Sequence, residues 1–299
     1  MNFLEKGDII EVVAPSSAGS DPNQLENSVK YYQNLGYVVK YPDDMLDFTH
    51  PFHANEDDFR SATLKSALAN EDSKIVWCWK GGYGASKLIP DLINSEKPKQ
   101  EKFFVGFSDI TALHIFLNQS WGWKTIHGAS FTTPVRDKYS PNNVKLVFEI
   151  VQGGRSNINI DDLVDIGSHP HQAPLEGDIT GGNLAMIEQS IGTLWQIDMT
   201  DKIVILEDVD ERGYRIDRML NHLLQANIIQ KAKAIVFGQF TKPASENSDK
   251  YINSAIANFA MNSKIPSFKT NLIGHEYTNI PFVYGAKGII ENNNLSMKW

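Results

Sequence analysis

Hydrophobic positions along the chain follow two alternating periods. Short apolar runs at Asp8 to Ala14, Tyr37 to Tyr41, Lys74 to Lys80 and the first half of Glu101 to Leu117 have the length and composition of buried strands. Between them, apolar residues recur every three or four positions. Leu25, Val29, Tyr32 and Leu35 make one face of a helix over Pro22 to Leu35, and Asp57 to Ala69 reads as another. Ile110, Leu113 and Leu117 continue the pattern after Ser108, and a helix over Asn142 to Val151 follows a short strand ending at His127. Strand, helix and strand in succession predict a parallel sheet with right-handed crossovers.

From Gly153 to Leu175 the periodicity fades into Gly, Asn, Asp, Ser, His and Pro, the character of a connecting segment. Beyond it, Gly177 to Asn183 reads as a glycine-rich turn into a helix, and Lys202 to Asp208 as a buried strand ending in two carboxylates. A helix over Tyr214 to Leu224, a strand over Lys233 to Phe240 and a helix over Ser248 to Met261 come next. Asn271 to His275 then ends a strand, and Ile280 to Ile290 reads as β structure with a turn. The expectation is an α/β protein of two domains: residues 1–152, a linker over 153–175, and residues 176–299.

Composition narrows the function classes. At 299 residues, 41% hydrophobic and 21% charged, the chain is that of a globular protein with a real core. Its net charge of -8 and lack of a basic run argue against nucleic acid as a partner. No run is long enough to span a membrane and the N-terminus lacks signal-peptide character, so a cytoplasmic protein is expected. Cys78, the single cysteine, lies in the apolar run Ile75 to Trp79 and reads as buried. His169-Pro-His171 has no matching ligand pattern, and neither metal nor cofactor is expected.

Chemistry concentrates at turns. Ser108 stands where an apolar strand gives way to a helix, a position that presents a hydroxyl beside helix N-terminal amides. A helix N-cap is the competing local role, and the two are compatible. Gly81-Gly-Tyr-Gly84 leaves backbone N–H groups unshielded between a strand and a helix, suited to an oxyanion or to a tight turn alone. Glu207 ends a buried strand, where a charge demands a partner. A histidine that becomes cationic is one, and Asp208 is then available to cap the next turn. Among the eight histidines, His275 follows Gly274 at an expected strand end and His127 is the reserve. His114 lies off the Ser108 face of its helix, and His222 falls in apolar spacing.

Taken together, Gly-Gly-Tyr-Gly (81–84), Gly-Phe-Ser-Asp-Ile-Thr (106–111), His-Gly (127–128), Gly-Gly-Asn-Leu (181–184), Leu-Glu-Asp-Val (206–209), Tyr-Arg-Ile-Asp-Arg-Met-Leu (214–220) and Gly-His (274–275) resemble the serine LD-carboxypeptidases. That family includes the muropeptide LD-carboxypeptidases and the microcin C immunity peptidases. The resemblance implies a triad of Ser108, Glu207 and His275, with an oxyanion hole from the backbone N–H groups of Gly82 (Gly81 as the alternative) and Asp109. It also implies a first domain similar to class I glutamine amidotransferases, a smaller second domain, an active site between the two, and a homodimer. Lys80 stands where relatives often carry Arg, and Ala129 where Pro often follows His-Gly; both bear on the pocket rather than the triad.

The function expected is removal of the terminal D-Ala from murein tetrapeptides through an acyl-enzyme, in peptidoglycan recycling. Arg215, Arg218 and Lys80 are candidate cations for the terminal carboxylate, and Asn183 is a further candidate contact. The competing readings are a detoxifying peptidase acting on a microcin-like aminoacyl nucleotide and a non-catalytic muropeptide-binding protein.

Overall fold

A computed structural model describes residues 2–171, 174–241 and 248–299. The chain divides into two compact units, Met1–Arg155 and Ser156–Trp299. It is a two-domain α/β protein.

In the N-terminal unit, β1 (Ile9–Val13), β2 (Val38–Lys40), β3 (Ser73–Cys78), β4 (Phe103–Gly106) and β5 (Ile126–His127) are parallel, in the order β5-β4-β3-β1-β2. Helices α1 (Asn23–Asn34), α2 (Asp57–Ala69), α3 (Ile89–Ile93), α4 (Thr111–Trp121) and α5 (Pro141–Val151) accompany them. The βαβ expectation from the apolar periodicity holds here. Trp77 on β3 donates its indole N–H to the carbonyl of Ala129 at 2.8 Å, while Tyr32 of α1 stacks on Phe131 with ring centroids 4.3 Å apart. These aromatics, fully buried with Trp79, fill the layer between helices and sheet. The strand order reverses between β1 and β3, and in such sheets the loops leaving the carboxyl ends at the reversal form the site. Those loops are Pro15 to Ser17 and Gly81 to Gly84.

The C-terminal unit is built on a mixed sheet containing β6 (Asn157–Ile160), β7 (Val164–Asp165), β8 (Leu175–Asn183), β9 (Lys202–Val209), β10 (Ala234–Thr241) and β11 (Ser267–Lys269). A C-terminal hairpin of Lys287–Glu291 and Asn294–Lys298 joins it. Strands β8, β9, β10 and β11 run parallel in that order. The hairpin pairs antiparallel outside β8, β6 lies beyond the hairpin, and β7 lies beyond β11. Helices α6 (Leu184–Gln189), α7 (Gly213–Gln225) and α8 (Ser248–Asn262) complete the unit.

Two expectations are corrected here, while Ile280 to Ile290 does hold β structure with a turn, in strands Phe282–Val283 and Lys287–Glu291 on either side of Tyr284-Gly285. The stretch 153–175, expected as a linker, supplies β6 and β7 at the two edges of the sheet. Edge strands need little apolar sequence, and Ile158 and Ile160 alone face inward on β6. Gly181-Gly182-Asn183 is the end of a central strand rather than a turn, in register with Ile205, Leu206 and Glu207. A Cβ at Gly181 would lie 1.9 Å from the Ile205 carbonyl oxygen, so the glycine permits close backbone approach. The hairpin turn falls at Asn292-Asn293, both with left-handed φ (50° and 59°), which suits a two-residue hairpin.

Candidate active site

In the N-terminal unit, the strand-to-helix turn expected at Ser108 is present and strained. Phe107 ends β4 in an extended conformation, and Ser108 adopts a left-handed φ of 67° before a turn of 3-10 helix leads into α4. A non-glycine residue there costs about 1–2 kcal/mol. The N-cap reading of Ser108 does not hold, because neither the 3-10 turn nor α4 has a side-chain cap. Gly106 lets the turn pack tightly, since a Cβ there would come 2.9 Å from Ile110 and 3.1 Å from Cys78. His114 closes the turn from below, its Nε2–H donating to the Gly106 carbonyl at 2.9 Å. Burial pulls its pKa down to about 4, so the ring is neutral and structural.

The glycine turn lies directly against this serine. A Cβ on Gly81 would sit 2.8 Å from the Ser108 Cβ and 3.1 Å from its Oγ. Gly82, with φ of 125°, packs closer still to Ser17, whose Oγ a Cβ there would meet at 2.0 Å, and the Tyr83 N–H donates to that Oγ at 3.3 Å. Asp109 ties these loops together. Its buried carboxylate accepts from Ser16 Oγ at 2.5 Å and from the Ala85 N–H at 2.8 Å. Burial raises its pKa while those two donors and the Arg60 charge oppose the rise. Arg60 was not among the residues singled out from sequence. It is fully buried on α2 and donates to the carbonyls of Gly84 (3.1 Å), Asn55 (3.1 Å) and Pro15, with its other nitrogen on Asp57. Its spacing four residues before Leu64, on the apolar face, was the available signal.

Because Gly81 has no left-handed φ, alanine fits its backbone and only the side chain intrudes. Gly81→Ala is expected to lower kcat about 100-fold by displacing the serine hydroxyl, with unfolding free energy changed by less than about 2 kcal/mol. Steady-state kinetics and urea denaturation on one preparation check both halves.

The C-terminal unit holds the carboxylate–imidazole pair expected from the sequence. Glu207, completely buried on β9, accepts a hydrogen bond from His275 Nδ1 at 2.5 Å. A carboxylate facing Nδ1 fixes the proton there and leaves the ring's lone pair at Nε2, the arrangement a general base needs. His275 is on a loop, not at a strand end as expected, because β11 stops at Lys269. Gly274 turns with φ of 144°, its N–H donates to Asn279 at 3.1 Å, and the Glu276 N–H donates to Gln239 Oε1 at 2.8 Å. The Gln239 amide also donates to the carbonyls of Asn271 and Thr278, at 2.5 and 3.0 Å. Gln239 therefore pins both arms of the histidine loop, a role that no local pattern announces.

Asp208 has a separate task. It accepts from Asn183 Nδ2 at 2.9 Å, the Val209 N–H at 2.8 Å and the Ala185 N–H at 3.0 Å. Burial and the neighbouring Glu207 charge push its pKa up to about 7, against the pull of those donors. Asn183 caps α6 through the Met186 N–H at 3.2 Å. Arg215 is half-exposed and paired with Glu211 at 2.7 Å, and Arg218 lies over the Tyr214 ring. His222, expected to be packed, is half-exposed and bound to Glu188 at 2.6 Å. His127 is buried at the end of β5, its ring 6.2 Å from that of Phe107. Cys78 is buried, which raises its thiol pKa well above the usual value. Among the described residues, no group of three or more His, Cys, Asp or Glu side chains is placed to hold a metal.

Residues 10–128 match the LD-carboxypeptidase N-terminal domain, and residues 176–290 match the LD-carboxypeptidase C-terminal domain. The chain is 44% identical over 285 residues to a putative carboxypeptidase of Rickettsia conorii, covering 94% of this chain and 87% of that one. It is 30% identical over 290 residues to a probable murein peptide carboxypeptidase of Bacillus subtilis, covering 95% and 89% of the two chains. Two solved structures are similar over nearly the whole length. An MccF-like protein from Bacillus anthracis has a TM-score of 0.82 at 25% identity, covering 99% of this chain and 98% of that one. A muramoyltetrapeptide carboxypeptidase from Oxalobacter formigenes has a TM-score of 0.80 at 26% identity, covering 97% and 99%. With matches in both halves and these identities across the chain, the protein belongs to the serine LD-carboxypeptidase family, and it is a hydrolase.

Proposed function

We propose that the protein releases the terminal D-Ala of murein tetrapeptides by acyl-enzyme chemistry with Ser108, Glu207 and His275. His275 Nε2 takes the proton of Ser108 as its oxygen attacks the scissile carbonyl. Glu207 holds the imidazole and stabilises the imidazolium. The N–H groups of Gly82 and Asp109 receive the tetrahedral oxyanion. Collapse of that intermediate breaks the C–N bond, with His275 giving its proton to the leaving amine. The same histidine then activates water, which displaces Ser108 from the acyl group. Asn183 and Arg215 are candidate substrate contacts in this reading. Action in the cytoplasm as a homodimer, in peptidoglycan recycling, belongs to it by family resemblance.

The observation that carries the reading is the fully buried Glu207 accepting from His275 Nδ1 at 2.5 Å. A carboxylate without exposure is costly unless its partner takes up charge, and a general base does so during each turnover. The left-handed Ser108 adds support, since strain at a hydroxyl-bearing turn is what a presented nucleophile requires. Murein peptides are favoured by the names of the Bacillus subtilis and Oxalobacter formigenes relatives. The likeness to an MccF-like protein favours the second reading, cleavage of an aminoacyl nucleotide.

The test gives purified protein a tetrapeptide ending in L-Lys-D-Ala or diaminopimelate-D-Ala and follows release of D-Ala. Ser108→Ala is expected to lower turnover by about 1,000-fold or more. Undiminished turnover in that variant would remove Ser108 as nucleophile, and cleavage of an aminoacyl nucleotide alone would select the second reading.

A further inference from the structure

Beside the nucleophile turn, in a chain of net charge -8, three cations gather that make no ion pair among the described residues. Lys80 immediately precedes Gly81, the residue packed against Ser108. Arg136 and Lys138 share the ring of Tyr139, with Cζ 5.0 Å and Nζ 4.6 Å from its centroid. That ring stands edge-on to Phe107 at 6.3 Å, and Phe107 immediately precedes Ser108. Lys80 thus adjoins the residue packed against the serine, and Arg136 and Lys138 lie behind Phe107 through the Tyr139 ring. The Lys80 ammonium rests over Gly19, where a Cβ would come within 3.0 Å of Nζ.

Elsewhere in this unit, Arg60 and Lys87 share Asp57 and Lys74 has Asp8, while buried Lys102 donates to the carbonyls of Ala67 and Asn70 and to Ser73 Oγ. Among the described residues, Lys80, Arg136 and Lys138 make no ion pair, and Asp137, exposed between the last two, pairs with neither. Burial lowers the pKa of Lys80, and the charges of Arg136 and Lys138 lower it further. Lys80 and Arg136 are partly buried and Lys138 is exposed, and like charges held together there are unfavourable in the empty protein. They become favourable when an anion arrives.

A carboxypeptidase substrate brings such an anion to a fixed place. The carboxylate of the leaving residue sits on the carbon that bears the scissile nitrogen, so whatever binds it stands close to the nucleophile. We propose that Lys80, Arg136 and Lys138 form the subsite that receives the free carboxylate of the leaving residue and makes the enzyme an exopeptidase. The inference rests on the serine-peptidase reading above. It assigns this carboxylate to the N-terminal unit rather than to Arg215, which already has Glu211.

The experiment compares kcat/KM for a tetrapeptide ending in L-Lys-D-Ala with that for the same peptide ending in D-alaninamide. Wild type prefers the free acid. Lys80→Met and Arg136→Gln are each expected to lower kcat/KM for the acid by about 10- to 100-fold, mostly through KM, as loss of a charge-assisted contact does. Turnover of the amide stays near wild type, so the preference collapses, while Lys80→Arg keeps it. Equal loss on both peptides, or an unchanged preference, overturns the proposal. Calorimetric titration of the two peptides into Ser108→Ala, with and without Lys80→Met, decides the subsite without turnover. If wild type hydrolyses neither peptide, the peptidase reading falls, and acid-selective binding abolished by Lys80→Met still upholds the subsite. Binding that ignores the carboxylate removes it.

Discussion

Ser108→Gly is expected to be more stable than Ser108→Ala by about 1 kcal/mol, with hydrolysis lowered by about 1,000-fold or more in both variants. In ordinary helix or strand, glycine is the less stable of the two by about 0.5–1 kcal/mol, because it has more conformational freedom to lose. At φ of 67° the order reverses. Alanine keeps the Cβ that makes a left-handed backbone unfavourable, whereas glycine adopts it without penalty. Neither carries the hydroxyl, so catalysis is equally impaired and the comparison isolates the backbone. Urea denaturation of the two proteins measures the difference. If alanine proves the more stable, the turn is not strained, and the cost attributed to presenting the hydroxyl disappears.

Much of the N-terminal unit is legible in its apolar spacing. Parallel strands buried on both faces, such as β3 with Ile75 to Trp79, appear as unbroken apolar runs that polar and glycine residues punctuate. The C-terminal unit is less transparent at its edges. Strands β6 and β7 are short and partly exposed, and their sequence resembles a loop. Gly181 and Gly182 look like a turn because glycine usually marks one. In β8 they serve close approach to β9, which is decided by a strand about 25 residues further along the chain.

At the site, Ser108, the glycine turn and Glu207 are conspicuous because each sets unusual chemistry at a strand end. The residues that position them are not. Arg60 and Gln239 act through backbone carbonyls and amides distant in sequence, and a carbonyl has no side-chain identity to recognise. Asp109 has a double character. Its backbone N–H is the candidate oxyanion donor, while its carboxylate independently ties the serine turn to Ser16 and Ala85. Such a residue is visible as a motif letter before its separate task is visible as geometry.

Glu207→Gln is the substitution that separates the charge of the proposed triad acid from its shape. Glutamine is nearly isosteric and keeps an oxygen able to accept from His275 Nδ1. It loses the negative charge that stabilises an imidazolium, and its amide can instead donate and select the wrong tautomer. A fall in kcat of about 1,000- to 10,000-fold is expected, with little change in KM. A second readout follows from Asp208, whose pKa is pushed up to about 7 by burial and by the Glu207 charge. A carboxyl raised in the folded state contributes stability that is fully present below its unfolded value of 3.8 and is lost as pH rises through about 7. Glu207→Gln removes the second cause, so the variant loses less stability than wild type across that window. Denaturation midpoints at intervals from pH 4 to 8, compared between the two proteins, give the difference directly. Turnover within tenfold of wild type would remove Glu207 from the catalytic machinery. Parallel stability profiles would show that Asp208 does not feel its charge. A large fall in kcat with a flattened profile assigns both effects to one buried carboxylate: it is costly beside Asp208, and it is retained because His275 becomes cationic in the reaction.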